Sequence, residues 1–276
     1  MNEKQKNVLL TLLMVVVTLL FVLPVLIILM NSFKGQFYIS SSPFAFPDRN
    51  TYVGFENYLS GIRKIGFFKA LGYSLWITVA SVLTILIGTS MTAWYLNRWH
   101  TKLSKLLYYM FVFSMIVPFQ MVMFTMSKVA NVLMLENPIG IILIYLGFGA
   151  GLSVFLFSGF VKGIPLSLEE AAQIDGCGPV RLFFFIILPL LKPIATTVAV
   201  LNVMWIWNDY LLPYLVIGSK YKTIPVAVQY LQGGYGSKDM GALMAMLILA
   251  ILPIVLFYAF SQKYIIKGVI AGAVKE

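Results

Sequence analysis

Six long apolar runs, at residues 8–30, 71–95, 106–126, 139–161, 194–217 and 240–260, alternate along the chain with stretches where charged and turn-forming residues collect. Each run is close to the ~20 residues that a helix needs to cross a hydrocarbon layer of roughly 30 Å. Backbone N–H and C=O groups find no water in lipid, so a spanning segment is a helix or part of a closed barrel. A barrel would show short segments of alternating polarity instead. The pattern therefore predicts an all-α integral membrane protein of six transmembrane helices, with both termini on one side.

The first run follows Lys4 and Lys6 and so imitates a secretory signal. It is too long for a signal core and lacks a small-x-small cleavage site, which makes it an uncleaved first span. Residues 31–70 begin with turn formers, including Pro43, Pro47 and Asp48, and are expected to end in a short interfacial helix near 55–69. The resulting division is a first helix with its extracytoplasmic segment (1–70), a transmembrane core (71–262) and a tail (263–276).

Composition agrees with this pattern and narrows it. Of 276 residues, 60% are hydrophobic and 11% charged, and the mean hydropathy is +0.90, against about half apolar and a quarter charged in soluble domains. The net charge of +10 comes from basic residues scattered through the loops, which reads as membrane flanking and not as a nucleic-acid surface. With both termini inside, eleven Lys and Arg lie on the cytoplasmic side and nine outside, a weak bias in that direction. Cys177 and His100 are the only residues of their types, so one chain offers neither a disulfide framework nor a multi-histidine or multi-cysteine metal site. His100, at the inner edge of the second run, reads as interfacial.

The connection at 164–193 is the most structured of the loops. Its first part reads IPLSLEEAAQIDGCGPVRL. Ser167 and Glu170 have the spacing of a capping box, strong helix formers follow, and Gly176 is placed to end the helix in a left-handed conformation. Pro179 suits the first turn of a second helix, over 180–188, which ends at Pro189. A helix, a tight turn and a second helix in a short connection imply a docking element. Ala171 and Ala172 let a partner approach the backbone, and Glu169, Glu170 and Asp175 offer charge at the rim. An amphipathic helix lying on the headgroups is the alternative from local chemistry.

The residues Glu170, Ala171, Ala172, Gly176, Ile186, Leu188 and Pro189 fall at the spacing of the EAA loop of bacterial ABC importer permeases, which this chain resembles. Residues 31–34 (NSFK) and 262–275 extend the resemblance to the carbohydrate-uptake branch, closest to the shorter permease of the maltose and multiple-sugar systems. The resemblance implies a type I importer bundle in the plasma membrane with cytoplasmic termini. It also implies that the EAA helix docks in a groove of an ATPase dimer, and that a second, homologous permease and an extracytoplasmic sugar-binding protein complete the system. Glu169 and Asp175 fall within the same ATPase-coupling loop. By the same resemblance the tail, with Gly268, Gly272 and Lys275, is a second ATPase contact. No Gly-rich phosphate loop occurs in the chain, so ATP and Mg are expected on the partner, with no cofactor here.

Polar residues within the runs are the candidates for a substrate path. Asn202, Trp205 and Asp209 recur on one helical face, with Asn208 beside them, a mixture suited to sugar hydroxyls and apolar sugar faces. The alternative is an outer aromatic belt with polar neighbours. Ser81, Thr84, Thr89, Ser90 and Gln120 read as helix-packing residues. A membrane-embedded enzyme would require a nucleophile with its base, a carboxylate pair or a metal set, and none is visible. A self-sufficient secondary transporter or channel would be expected to show more intramembrane charge or an inverted repeat.

Overall fold

The computed structural model describes residues 3–232 and 238–273, with side chains through Gln262. The described residues are helical, apart from loops and one isolated antiparallel bridge between Lys34 and Tyr52. They fall into two compact units, Met1–Ala70 with Ala227–Pro253, and Leu71–Val226 with Ile254–Glu276.

In the first unit, α1 (Glu3–Asn31) is apolar on all sides, and its 29 residues make it about 43 Å long at 1.5 Å per residue. Nearly every side chain of α1 is exposed, so its surroundings in the native setting are lipid or protein and not water. The NSFK segment that follows is a hydrogen-bonded knot. The Asn31 side-chain amide donates to the carbonyls of Ile27 (2.9 Å) and Pro43 (2.8 Å). The buried Lys34 ammonium donates to the Ser42 carbonyl at 2.8 Å. The Asn57 amide donates to the carbonyls of Ser32 and Lys34, both at 2.8 Å. Phe33 packs its ring among Tyr52, Phe55 and Tyr58. Between them lies α2 (Gln36–Ser41), and α3 (Glu56–Ile65) follows. The helix expected over 55–69 is interrupted at Gly66, whose φ of +62° ends α3.

The second unit begins within α4 (Phe67–Arg98) and continues through α5 (Lys102–Ser114), α6 (Phe119–Val132) and α7 (Gly140–Val161). After α7 come α8 (Leu166–Ile174), α9 (Pro179–Leu182), a π-helical turn (Phe183–Ile187), α10 (Leu188–Leu190), α11 (Lys192–Asn208), α12 (Leu211–Val216) and α13 (Ile224–Gln229). Its core is built on fully buried Ile77, Ile85, Tyr145, Phe157, Phe183 and Leu212. Helices α5 and α7 approach closely at Gly151, where a Cβ would stand 2.7 Å from the Phe111 carbonyl oxygen. Thr84, Thr89 and Ser90 close their hydroxyls onto the α4 backbone one turn earlier, as expected of packing residues.

The run at 240–260 lies in α14 (Met240–Ala273). Among the described residues, four helices are long and apolar enough to cross a membrane: Glu3–Asn31, Phe67–Arg98, Gly140–Val161 and Met240–Gln262. The other two expected spans are not single straight helices. α5 and α6 meet at 108°, because Pro118 has no N–H and disfavours helical backbone in the residue before it. The run at 194–217 is cut at Asp209, whose ψ of 122° is extended, and Pro179–Leu190 meets α11 at 79°. Six crossings follow if each bent pair, α5 with α6 and Pro179–Leu190 with α11, forms one.

Candidate functional site

The segment that joins α7 to α11 is built around a glycine turn. Gly176 has φ +80°; its N–H donates to the Gln173 carbonyl (3.0 Å) and that of Cys177 to the Ala172 carbonyl (2.9 Å). These are the paired bonds of a Schellman ending, which satisfy carbonyls that α8 would otherwise leave open. Pro179 then opens α9 as its first residue, after an extended Gly178.

The start of α8 differs from the expected capping box. The helix begins at Leu166 with Pro165 as its cap, and no side chain accepts from the first turn. Pro165 fixes the extended-to-helical switch two residues before Ser167, leaving Ser167 exposed inside the first turn. The second helix also differs: it passes Pro189 to Leu190, with a π-helical turn that ends at Ile187, two residues before the proline. The missing proline N–H and its ring are absorbed by that wider turn. Ile186 and Leu188 are half-buried there and Pro189 is exposed.

Sequence reasoning misplaced the role of Glu169, which points inward. Its side chain is 3% exposed and forms an ion pair with Arg98 at 2.6 Å. The Arg98 Nε–H donates to Oε1 at 2.7 Å, the Trp94 indole N–H donates to Oε2 at 3.0 Å, and a second Arg98 N–H donates to the Ile164 carbonyl at 3.0 Å. Both carboxylate oxygens are thus occupied, and α8 is braced against the last two turns of α4. Trp94 is also in ring contact with Phe183 at 5.7 Å, so one indole touches both halves of the helix-turn-helix. Ala172, one turn beyond Glu169, is buried with it. Glu170, Ala171 and Asp175 are exposed, beside exposed Leu166, Leu168, Ile174 and Val180. The result is a rigid projection with a mixed apolar and acidic outer face. The sequence carried one hint of the brace, an Arg one turn after a Trp at the end of an apolar run, but nothing in it links positions 71 residues apart.

The four residues of the candidate substrate path do not form one lining. The Asn202 amide is buried and donates to the Val198 carbonyl (2.9 Å) and the Ser153 hydroxyl (3.3 Å). Asp209 lies beyond the end of α11, off the helical face expected for it; its Oδ1 accepts from the N–H groups of Leu211 (3.0 Å) and Leu212 (3.3 Å) and its Oδ2 from the Tyr145 hydroxyl (3.1 Å). The Asn208 amide folds back onto the Met204 carbonyl at 2.7 Å. Trp205 stands edge-on to Tyr145 with ring centroids 5.4 Å apart and remains 39% exposed. Of the four, Trp205 and Asn208 are exposed, Asp209 is half-buried and Asn202 is buried.

Gly268 and Gly272 lie on the backbone of α14, and Lys275 is outside the described residues. Among the described residues no group of three or more His, Cys, Asp or Glu converges as metal ligands.

Residues 84–271 match the family model described as "Binding-protein-dependent transport system inner membrane component". The chain is 42% identical to the probable starch degradation products transport system permease AmyC of Thermoanaerobacterium thermosulfurigenes, over 97% of each chain. It is 34% identical to the multiple sugar-binding transport system permease MsmG of Streptococcus mutans, over 93% of each. With the melibiose/raffinose/stachyose import permease MelC of Bacillus subtilis it shares 33% identity, over 96% of this chain and 95% of that one. Its fold is that of a chain in the crystal structure of a bacterial ABC transporter involved in alginate import, with a TM-score of 0.79 at 19% identity and coverage of 95% and 97%. The exposed helix-turn-helix, the long apolar helices and the match over most of the chain lead to one conclusion: this protein belongs to the binding-protein-dependent transport system inner membrane components, the multi-pass permease subunits of ABC importers.

Proposed function

We propose that this chain is the permease subunit of an importer that takes up an oligosaccharide, and that α8, the Gly176 turn and α9 form its contact with an ATPase dimer. The observation that carries the contact is the braced projection, whose outer face holds Glu170, Ala171 and Asp175 while its inner face is locked to α4. The carbohydrate class is supported by the names of the relatives, which refer to starch degradation products, multiple sugars, and melibiose, raffinose and stachyose. ATP and Mg belong to the ATPase, and this chain contributes no hydrolytic group. A second permease completes the pathway, and an extracytoplasmic binding protein delivers the sugar.

On this reading residues 164–193 face the cytoplasm, and six crossings put both termini on that side. The ATPase contacts Glu170, Ala171, Asp175 and Gly176 through the exposed side of the turn, with Ala172 packed inward behind them and Ile186, Leu188 and Pro189 supporting its second arm. Glu169 is a positioning residue: it couples displacement of α8 to the end of α4 through the Arg98 pair. Gly268, Gly272 and Lys275 form a second contact with the ATPase. Proteoliposomes that hold the assembled transporter with ATP inside, and binding protein with labelled maltotriose or raffinose outside, test the reading. ATP-dependent accumulation of one of these sugars is expected; hydrolysis with no accumulation of either would overturn the oligosaccharide assignment.

A further inference from the structure

The end of α4, the start of α5 and the end of α7 enclose a cavity of about 350 Å³ on the flank of the second unit, lined among others by His100, Lys105, Tyr108, Tyr109 and Lys162. No carboxylate lines it. The described ion pairs of this chain use Lys64 and Arg98, so the charges of Lys105 and Lys162 have no described counter-ion. The Lys162 ammonium sits 5.8 Å from the centroid of the Tyr108 ring, which holds that charge at the cavity wall. The phenols of Tyr108 and Tyr109 add hydroxyl donors. The local chemistry is therefore that of an anion site.

Two further observations set the kind of anion. The cavity lies where three apolar helices end, and its lining residues Leu96 and His100 directly follow Tyr95 and Trp99 in the chain, whose stacked rings have centroids 4.9 Å apart and are about half exposed. Amphipathic aromatics and long basic side chains at such ends mark headgroup depth. Tyr109, on the cavity wall, has Leu106 and Phe113 three residues before and four after it on α5, and these with Met110 are each more than half exposed. Their spacing of four and three residues makes a continuous apolar strip. A small free anion would use the cations and leave the strip unexplained, whereas a ligand with an anionic head and a long apolar tail uses both.

We propose that this cavity binds the phosphate of an anionic phospholipid, with an acyl chain laid along Leu106, Met110 and Phe113. Only the leaflet, the cytoplasmic one, rests on the function proposed above. The test uses the full chain purified with its partner subunits, stripped of lipid and titrated in the mass spectrometer with dioleoyl phosphatidylglycerol or dioleoyl phosphatidylcholine. One phosphatidylglycerol is expected to remain bound under conditions that remove phosphatidylcholine. At about 1 kcal/mol per basic residue near an anionic headgroup, K105Q and K162Q should each weaken retention about five-fold, and the pair roughly thirty-fold. The exposed Lys128, on α6, serves as the control, and K128Q should bind as wild type. The single variants decide the matter if the double variant fails to assemble. Equal retention of the two lipids, or phosphatidylglycerol binding unchanged in both single variants, would overturn the proposal. Full displacement by excess inorganic phosphate would also overturn it, because the site would then be one for free anions. Lipid retention is read without transport, so this test and the sugar-uptake test fail separately.

Discussion

Replacing Glu169 by Ala removes the counter-ion of a guanidinium whose side chain is only 14% exposed and unpairs the Trp94 indole N–H at the same time. Breaking one side of a buried ion pair costs about 3–5 kcal/mol, because the remaining charge stays desolvated. Glu169→Gln keeps the volume and the two acceptor positions in part, so about 1–2 kcal/mol is expected. The assay is provided by Cys177, the single cysteine, which lies one residue past the Gly176 turn, is partly buried, and donates its N–H to Ala172. If α8 must lift from α4 before a maleimide reaches the thiol, a loss of about 3 kcal/mol speeds labelling by roughly a hundred-fold, up to the rate of an open thiol. Arg98→Ala should have a similar effect, and the double variant should cost much less than the sum of the two. Labelling of the Glu169→Ala variant at the wild-type rate, or simple additivity in the double variant, would refute the brace.

Other substitutions test the remaining geometry. Gly176→Val places a β-branched residue at φ +80° in open space, so the cost is one of backbone conformation, about 1–3 kcal/mol; membrane insertion should persist while uptake is lost. Gly176→Asn, which tolerates that conformation better, should retain a measurable share of uptake. Gly151→Leu forces a side chain against the Phe111 carbonyl and Met115 and should lower the thermal midpoint by the equivalent of about 1–3 kcal/mol, read by scanning fluorimetry. Asp239 has its carboxyl held below the usual range: burial, the largest single influence, acts to raise it, but Lys64 and the N–H groups of Ala242 and Gly241 together outweigh that. A depressed carboxylate contributes stability that is complete above its unfolded pKa near 4 and is lost as pH falls through the folded value. Asp239→Asn should therefore lower stability at neutral pH, where the contribution is complete, and flatten the acid limb, so that the two profiles converge as pH falls.

The turn in the connection was legible because its conformation is dictated locally. Gly176 has the positive φ its position required, and Pro179 stands in the first turn of the next helix. The beginning of α8 was misread because two local signals competed, and the rigid ring of Pro165 prevailed over the Ser167 and Glu170 spacing. Pro118 falls inside the third run, and hydropathy alone carries the run through it; length and polarity do not encode the 108° bend. Asp209 stands out as a carboxylate within an apolar run, but whether it faces a ligand or caps the next helix depends on a break after α11 that hydrophobic periodicity does not reveal. The inward turn of Glu169 was not legible, because its partner Arg98 lies in another helix and only the fold brings them together.

Hydrogen exchange of the permease with and without its cognate ATPase probes the docking role of α8 and α9 most directly. Protection on adding the ATPase is expected over residues 166–182, strongest on the outer side of α8 and at the Gly176 turn, and it should fall sharply in the Gly176→Val variant. Exchange in 166–182 that is unchanged by an ATPase shown to be bound would contradict this assignment.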